Sequence, residues 1–504
     1  MREKTFEIDS ITWNDLSLDE IYARLNSCVT TAGEEFLYDK LKNPYAYDCD
    51  EFKSQRHVFK DVKDADGLED LRSTLNKIGK LKAYRFYETL EEFKTEKNES
   101  NVSHFIIDAL VIISFAMIFI YPGPGIVLFF GAVAYSVSDY FKNKNIISGK
   151  LLVFNYLIKI IKSFSKIKCT DKSNSELIKV LNREIELCGE FKPFIRGTFL
   201  ISEGARTTSN PLSILFDYVR MIFHVDIIKY NSMIEFLKNH INEASEIYRI
   251  AGELDTAIVF RDIESNSRIN TSKICEPEFI STACSYEFEN AYHPMLNNPV
   301  YNTISSNKNV LITGCNASGK STFLKTVALT TLFAQSFGIT FADSYKAPFY
   351  KIYSSMALKD DLNNGESYFM SEIKSLKRIV DEREKNDLNS NILCVIDEVL
   401  RGTNTVERIA SSVEILKSLN GENIVCFAAT HDLELTELLA DSYDNYHFTE
   451  EVCDNDVKFN YKLMKGAATS RNAIRLLSVM GYSDDIIDRA TRRANDYVEN
   501  GVWS

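Results

Sequence analysis

The pattern of apolar and polar positions changes twice along the chain. Up to about residue 100, apolar residues recur at helical spacing, and Ser17 followed by Glu20 in SLDEIYARL predicts a capping box at a helix start. Residues 229–260 repeat apolar positions every three or four residues, which predicts one long amphipathic helix. From about residue 276, helical patterns alternate with short β-rich runs, which indicates a parallel sheet with crossover helices. These runs are Val310–Thr313, Ile392–Ile396 and Ile424–Ala428.

A run without any charged residue extends from Ala109 to Val137. This length is typical of membrane spans, because apolar runs of buried core helices usually stop at about 10 to 14 residues. Pro122-Gly123-Pro124-Gly125 is a strong turn inside the run, so the run is one kinked span or a hairpin of two short spans. We favour the hairpin, with the turn at its tip. The alternative is a buried helical hairpin in a soluble domain.

Lysines flank the apolar run on both sides and place both of its ends in the cytoplasm by the positive-inside rule. They are Lys94, Lys97, Lys142, Lys144 and Lys150. We therefore expect residues 105–140 to enter the membrane and the remainder to be anchored at the inner face of the cell membrane. A second apolar stretch, residues 211–228, contains four charged or titratable residues and predicts an amphipathic helix instead.

Composition narrows the class of protein. A chain of 504 residues with 45% hydrophobic residues should fold into several domains. The net charge of −13 disfavours a generally basic nucleic-acid-binding face, although a local basic stripe remains compatible with it. The ten cysteines stand singly without a CxxC pair, and the N-terminus is charged and polar, so we expect reduced thiols, a cytosolic location for them and no structural zinc.

A candidate phosphate-binding loop lies between a predicted strand and a predicted helix. Gly314 to Ser321, GCNASGKS, fits the pattern GxxxxGK[ST] after the strand NVLIT and before the helix STFLKTVALTTLFAQSFG. Glycines let backbone N–H groups surround phosphate oxygens at a helix N-terminus. Lys320 is expected to reach the β- and γ-phosphates of a nucleotide, and the Ser321 hydroxyl is expected to bind Mg²⁺.

Two further predicted strands end in residues that complete such a site. NILCVIDE ends in Asp397 and Glu398, where Asp397 could hold magnesium and Glu398 could orient or deprotonate the attacking water. CFAATHD ends in His431, which could contact the γ-phosphate or the water. A lone histidine is more often structural, and acidic residues after a strand are common, so these assignments depend on the upstream loop.

The ordered motifs of the C-terminal half resemble the ATPase domain of the MutS family of DNA mismatch-repair proteins. The motifs are YHPML, ITGCNASGKST, DDLNNGESYFMSEI, VIDEVLRGTNT, AATHDLEL and MKGAATSRNAIRL. Upstream, TTAGEEFLYDKLKNP and GELDTAIVF resemble the start of the family's helical core domain and the end of its lever. Allowing for the apolar insert, the resemblance extends over most of the chain, with the greatest specificity over residues 290–490.

The resemblance implies an α + α/β fold, in which a helical core and lever region precedes a P-loop ATPase domain of the ABC type with a mainly parallel sheet. We predict an N-terminal part of the core at residues 1–100, a transmembrane hairpin at 101–145, the remaining core and lever at 146–275, and the ATPase domain with C-terminal dimerisation helices at 276–504.

The resemblance also implies a homodimer with two composite sites for ATP and Mg²⁺. Ser367 and Met370 would come from the opposite subunit to cap the γ-phosphate, and Tyr461 would stack on adenine. The alternative for ESYFMSE is an ordinary helix start with Ser367 as its N-cap. Within the same subunit, the nucleotide would contact Gly314, Asn316, Ser318, Gly319, Lys320, Ser321 and Thr322, and catalysis would use Lys320, Glu398 and His431.

Departures from the family pattern shape the functional hypotheses. We expect no mismatch-reading wedge, because the chain begins at the core domain, and no nuclease domain after Ser504. The first hypothesis is a membrane-tethered dimeric ATPase in which hydrolysis moves the levers, with DNA or another protein as its target. The second is a soluble mismatch-repair or damage-binding ATPase with the apolar run buried. The third is a scaffold that binds nucleotide without hydrolysing it, which the complete set of site residues argues against.

Overall fold

The structure analysed is a computed structural model. It describes residues 6–65, 68–81, 86–95, 100–167, 175–198, 211–265, 274–281, 285–315, 318–356, 368–385, 390–401, 403–453, 456–468, 474 and 481–500. The chain divides into two compact units whose segments interleave. Unit 1 comprises residues 1–26, 38–56 and 260–504, and unit 2 comprises residues 27–37 and 57–259. The predicted domain boundaries stay predictions.

The described part of the first half of the chain is helical. Its helices are α1 (Ser10–Asp15), α2 (Leu18–Leu25), α3 (Thr31–Lys42), α4 (Asp50–Asp64), α5 (Glu69–Ile78), α6 (Phe86–Thr95), α7 (Val102–Ile120), α8 (Pro122–Phe164), α9 (Glu176–Glu190), α10 (Lys192–Ile195), α11 (Pro211–Ile222), α12 (Val225–Asn239) and α13 (Ile241–Ser265). Helix α8 is 43 residues long, and its apolar first half pairs with α7 as an antiparallel hairpin.

The hairpin turn forms where the sequence places its prolines and glycines. Helix α7 ends at Ile120, and α8 starts directly at Pro122, which suits the first helical turn because it has no N–H to leave unsatisfied. A Cβ at Gly125 would lie 2.7 Å from backbone atoms of Met117 and Ile118, so only glycine permits this close approach. Residues 102–120 and 122–145 are each long and apolar enough to cross a membrane, and only 22% and 17% of their most apolar windows are buried.

Within unit 2, the two segments that resemble the family's core and lever pack against each other. The Asp255 carboxylate accepts hydrogen bonds from the backbone N–H and the hydroxyl of Thr30, at 2.8 and 2.6 Å, at the start of α3. A Cβ at Gly252 would lie 2.4 Å from the Ala32 carbonyl oxygen, and one at Gly33 would lie 2.3 Å from Asp255. Both glycines are therefore required by the close packing of α3 on α13.

Three local predictions in the helical half are wrong. The helix predicted over 229–260 is interrupted at His240. The His240 ring stacks on Phe236, and its Nδ1 lies 2.9 Å from the Phe236 carbonyl oxygen. The helix predicted over 211–228 breaks at His224, which has a left-handed backbone (φ 45°). Ser17 precedes α2, but it too is left-handed and makes no capping hydrogen bond, because a capping side chain needs an extended backbone.

The second half of the chain contains the strands of unit 1. They are β1 (Glu278–Phe279), β2 (Tyr286–Ala291), β3 (Asn302–Ser306), β4 (Asn309–Thr313), β5 (Ser344–Ala347), β6 (Tyr350–Ser355), β7 (Asn391–Asp397), β8 (Ile424–Thr430), β9 (Tyr443–Cys453) and β10 (Asp456–Lys465). The helices of this half are α14 (Lys320–Phe337), α15 (Tyr368–Lys385), α16 (Thr405–Ser418), α17 (Glu434–Leu438) and a final helix, Asp484–Asn500.

The main sheet of unit 1 has the strand order β10-β9-β4-β8-β7-β6, and its five strands from β9 to β6 are parallel. Strand β10 pairs antiparallel with β9 at one edge. Strands β4, β7 and β8 are almost completely buried, as expected for central strands covered on both faces. Their carboxyl ends lie along one edge of the sheet and present Thr313, Asp397 and Thr430 there, so the loops that follow them are neighbours.

Candidate nucleotide site

The loop between β4 and α14 has the backbone that a phosphate cradle requires. Gly314 and Gly319 have φ angles of 141° and 104°, a region in which side chains other than glycine are strained. A Cβ at Gly314 would also lie 3.0 Å from the Phe448 carbonyl oxygen. The Ser318 hydroxyl donates to the Cys315 carbonyl oxygen at 2.8 Å and closes the loop on itself. Asn316 lies outside the described residues.

Lys320 begins α14, and its side chain folds back over the loop. Its ammonium group donates to the carbonyl oxygens of Gly314, at 2.7 Å, and Cys315, at 2.9 Å, and lies 3.4 Å from Nε2 of His431. Burial lowers the pKa of Lys320, and the carboxylates of Asp397 and Glu398 oppose that shift. The ammonium is therefore held at the mouth of the loop, where a phosphate would lie.

Ser321 and Asp397 form the second feature of the site. The Ser321 hydroxyl donates to Oδ2 of Asp397 at 2.5 Å. This bond connects the first turn of α14 to the end of β7. Asp397 is buried, whereas Ser321 and the next residue, Thr322, are exposed in the first turn of α14. One hydroxyl and one carboxylate oxygen in contact make a donor set that suits Mg²⁺, which binds hard oxygen ligands.

Glu398 has a strained backbone and a fully engaged carboxylate. Its φ of 63° is unusual for a residue other than glycine, and its N–H donates to the Ala429 carbonyl oxygen at 2.9 Å. Nε2 of His431 lies 2.6 Å from Oε1, and Nε of Arg401 lies 2.5 Å from Oε2. Burial alone would raise the pKa of Glu398, but His431, Arg401 and Lys320 together hold this pKa below its usual value.

A cavity of about 200 Å³ opens beside this carboxylate. It lies at the carboxyl ends of β7 and β8, the usual place for ligands in sheets of this kind. Arg408 and Asp432 form a two-bond ion pair in its wall, at 2.8 and 2.7 Å, which fixes the segment after β8. The cavity is lined by Glu398, Val399, Arg401, Arg408, Thr430, His431 and Asp432.

Arg401 is a site residue that the sequence reasoning missed. Besides its contact with Glu398, Nη2 of Arg401 donates to the Asp397 carbonyl oxygen at 3.3 Å. The backbone N–H of Arg401 donates to Oε1 of Glu372 at 3.1 Å. The available signal was its spacing, three and four residues after the two acidic residues in VIDEVLRG. The guanidinium places a permanent positive charge next to both carboxylates.

The residues predicted to contact the base and the opposite subunit have different outcomes. The Tyr461 ring packs against the phosphate loop, with Cδ1 3.1 Å from where a Cβ of Gly319 would be, and its side chain is 44% exposed. Met370 lies in the first turn of α15 and is 46% exposed. Ser367 lies outside the described residues, so both interpretations of ESYFMSE stay open.

Comparison with known proteins agrees with this geometry. Residues 310–497 match the family model described as MutS domain V. The chain is 34% identical over 196 residues to the DNA mismatch repair protein MutS of Pseudothermotoga lettingae. Over residues 310–497, the chain is similar to the ATPase-domain part of the MutS family.

Other similar proteins carry the same name. The DNA mismatch repair protein MutS of Clostridium perfringens is 29% identical over 275 residues, which is 50% of this chain, and that of Thermus thermophilus is 29% identical over 182 residues, or 36% of this chain. The alignment with the Pseudothermotoga lettingae protein covers 38% of this chain. The aligned parts make up only 23%, 28% and 22% of the Pseudothermotoga, Clostridium and Thermus proteins. The chain thus matches about a quarter of the length of these MutS proteins.

Proposed function

We propose that this chain is a membrane-anchored MutS-type ATPase that binds ATP with Mg²⁺ at the loop Gly314–Ser321 and hydrolyses it. The observation that carries the proposal is the convergence of Lys320, Ser321, Asp397 and Glu398 with His431 at one edge of the parallel sheet. These residues come from three separate segments of the chain. Their assembly around a phosphate-binding loop is what a hydrolytic site needs, and binding alone would not require the two carboxylates.

Each residue has a separate role in this proposal. Lys320 and the loop N–H groups bind the phosphates, while Ser321 and Asp397 would hold magnesium, which supplies positive charge to the phosphate oxygens when it is bound. Glu398 accepts a hydrogen bond or the proton from the attacking water, since its lowered pKa keeps it ionised at neutral pH. His431 orients Glu398, and Arg401 must release Oε2 or share it for the water to bind there.

A homodimer would complete the site. Met370 is exposed at the start of α15, where its side chain is accessible to a second subunit. Ser367 and Met370 of that subunit would cap the γ-phosphate, and Tyr461 would stack on adenine beside the loop. ATP binding would then join two copies of the ATPase domain, and hydrolysis would release them and move the helical levers.

The exposure of the hairpin supports a membrane anchor. At 1.5 Å per residue, the 19 residues of α7 extend about 28 Å, close to the thickness of about 30 Å of a bilayer's hydrocarbon core. Large apolar side chains face outward along both helices, whereas the core helix of a soluble protein would bury most of them. They include Leu110, Ile112, Ile113, Phe115, Phe119, Val127, Leu128 and Phe130, all more than half exposed.

A soluble DNA-repair ATPase is the second candidate, favoured by the similarity to the DNA mismatch repair proteins named above. That interpretation required the apolar run to be buried, and the described residues of unit 2 leave most of the run exposed. We therefore propose the membrane-anchored function first and retain DNA as a second partner, for which the net charge of −13 favours weak binding.

The proposal is tested with the purified full-length chain in detergent and in liposomes. We expect Mg²⁺-dependent ATP hydrolysis, co-flotation of the chain with the liposomes, and weak DNA binding that falls steeply with salt and is equal for matched and mispaired duplexes. A chain that stays soluble without detergent and does not float would contradict the anchor. A strong preference for mispaired duplex would favour the second candidate instead.

A further inference from the structure

Two histidines and two aspartates meet at the end of the hairpin opposite its turn. His104 is in the first turn of α7, Asp139 is on α8, and His224 precedes α12. One potential ligand atom from each of these three residues lies within 4.8 Å of the others. Both histidines are buried, at 4% and 0% exposure, and the Asp139 side chain is partly buried.

The distances within the cluster fit coordination of one ion. Oδ2 of Asp139 lies 3.7 Å from Nδ1 of His104 and 3.5 Å from Nε2 of His224. Two ligand atoms of a tetrahedral ion with bonds of about 2.0–2.1 Å are separated by roughly 3.3 Å, so small adjustments would place an ion among the three. Asp139 is also oriented, since Nδ2 of Asn143 donates to its Oδ2 at 2.9 Å.

Asp108 supplies the outer contact that histidine ligands of metals usually have. Its Oδ1 lies 3.3 Å from Nδ1 of His224. A carboxylate in this position accepts a hydrogen bond from Nδ1–H and leaves the lone pair of Nε2 for an ion. His224 has a left-handed backbone, with φ of 45°, at the break between α11 and α12, and its ring contacts both Asp108 of α7 and Ser136 of α8.

The two ring nitrogens of His224 both face oxygen atoms that accept hydrogen bonds. Its Nδ1 faces Asp108, and its Nε2 faces both Asp139 and the Ser136 carbonyl oxygen at 3.2 Å, so both ring nitrogens point at acceptors. A neutral imidazole has one proton for these two directions. With the Nδ1 proton directed at Asp108, the lone pair of Nε2 faces the Asp139 carboxylate, and a cation between them would satisfy both.

We propose that His104, Asp139 and His224 bind a divalent transition-metal ion, with zinc as the best fit, and that Asp108 orients His224. Nitrogen and carboxylate ligands in this number suit zinc with a fourth position left for water. A dication also balances the two carboxylates, which would otherwise be costly at a shielded position. The site ties α7, α8 and the start of α12 together where the hairpin leaves the rest of unit 2.

This proposal revises the expectation of no structural zinc, which was based on cysteine spacing. The ligands are 35 and 85 residues apart in sequence, so no local motif could reveal them. It does not depend on the proposed ATPase activity or on the membrane anchor. It requires only that α7, α8 and the segment before α12 meet as they do in unit 2.

The test uses the full-length chain in detergent, stripped with chelator and then dialysed against zinc with excess Mg²⁺. We expect one zinc ion per chain by elemental analysis and a rise in the melting temperature on zinc addition. Cobalt in place of zinc should give the visible bands of a nitrogen- and oxygen-ligated ion, without the charge-transfer absorption that cysteine thiolates would add. Retention of no ion, or a thiolate band from the bound ion, would overturn the proposal.

Variants separate this site from adventitious binding. Asp139→Asn should weaken zinc binding at least tenfold, and Asp108→Asn should weaken it about 10- to 100-fold by freeing the His224 ring. Asp226→Asn is the matched control, because this buried carboxylate lies nearby on α12 but pairs with Tyr140 and Lys144. Unchanged zinc affinity in a folded Asp139→Asn chain would also overturn the proposal.

Discussion

The candidate nucleotide site of unit 1 and the cluster at the base of the hairpin in unit 2 both bring together charged side chains that are wholly or partly buried. They differ in how the sequence encodes them. At the candidate nucleotide site, Asp397 ends β7, His431 directly follows β8, and the loop after β4 leads to Lys320. Because these strands are parallel neighbours, the three residues meet at one edge of the sheet. At the hairpin base, His104, Asp139 and His224 belong to helices and a helix break with no common motif.

Residues that meet at the edge of a parallel sheet can therefore be predicted from the sequence, whereas residues that meet between helices cannot. Carboxyl ends of neighbouring parallel strands are always adjacent, so the order of motifs predicts proximity. Helices can meet at any angle and register, and their contacts are then visible only in three dimensions.

Replacing Lys320 with alanine should abolish most activity at the nucleotide site. Its ammonium is the one cation that donates to the loop carbonyls in the described structure, and removing such a group from a phosphate site costs about 10²- to 10³-fold. Steady-state ATP hydrolysis measures the loss in kcat/KM. Lys308→Ala is the control, since the exposed Lys308 ammonium donates only to the Asp441 carbonyl oxygen, at 3.3 Å, among the bonds described. Equal losses in both variants would break the assignment.

A charge on the outer face of the hairpin should weaken membrane binding. Ile113 is 60% exposed near the middle of α7, and an arginine at the centre of a span costs about 2.5–3.5 kcal/mol, or roughly a hundredfold in partitioning. Liposome flotation of Ile113→Arg measures this effect. Leu438→Arg, at a leucine of unit 1 that is 51% exposed, should float like the unchanged chain. Undiminished flotation of Ile113→Arg would mean that the hairpin face does not enter lipid.

Packing in the helical unit should be sensitive to one methyl group. A Cβ at Gly252 meets the Ala32 carbonyl oxygen, so we expect Gly252→Ala to lower the free energy of unfolding by about 2 kcal/mol. Gly189 has nothing within 4 Å of an added Cβ, and Gly189→Ala should raise that free energy by about 0.5–1 kcal/mol. Denaturant unfolding followed by circular dichroism compares them. If the two glycines behaved alike, the close packing of α3 on α13 would be wrong.

The smallest expected effect concerns Glu184, a fully buried carboxyl on α9. Burial raises the pKa of Glu184 well above its usual value, while Arg249 opposes this. A raised pKa in the folded state means that stability is unaffected below the unfolded pKa and decreases as the pH rises above it. Glu184→Gln should therefore be more stable than the unchanged chain by about 1 kcal/mol at pH 8, and this gain should shrink toward pH 5.

Thermal unfolding of both chains across this pH range measures the gain. The exposed neighbour Glu186 provides the control, because Glu186→Gln removes a carboxylate that pairs with Arg183 at the surface. A gain for Glu184→Gln that is constant with pH would show that the buried carboxyl is already ionised in the folded chain.

The parts of the fold that the sequence predicted are those with a strict local rule. Val310–Thr313, Ile392–Ile396 and Ile424–Ala428 are short β-branched runs bounded by turns, and all three are central parallel strands. Glycines in the loop were expected to let the backbone surround phosphate oxygens, and Gly314 and Gly319 have positive φ angles that other residues rarely adopt. The turn of the hairpin was predicted from Pro122-Gly123-Pro124-Gly125, because prolines and glycines in this order strongly favour a turn.

The helix predictions that failed concern positions where the helical pattern of the sequence continues although the helix breaks. Helical periodicity continues through His224 and His240, so nothing local marked these breaks. His224 is held by Asp108 and Ser136, and the ring of His240 by Phe236. Arg401 was missed because an arginine after an acidic strand end is also common on surfaces. Its importance follows only from the position of Glu398, whose left-handed backbone directs the carboxylate toward it.

The most direct measurement of the central claim compares ATP binding and ATP hydrolysis in the Glu398→Gln variant. Glutamine keeps the size of the side chain and removes its charge and basicity, so we expect nucleotide affinity within a fewfold of the unchanged chain and turnover reduced about 10²- to 10⁴-fold. Normal turnover in this variant would contradict the account, because the carboxylate beside His431 and Arg401 would then have no part in hydrolysis.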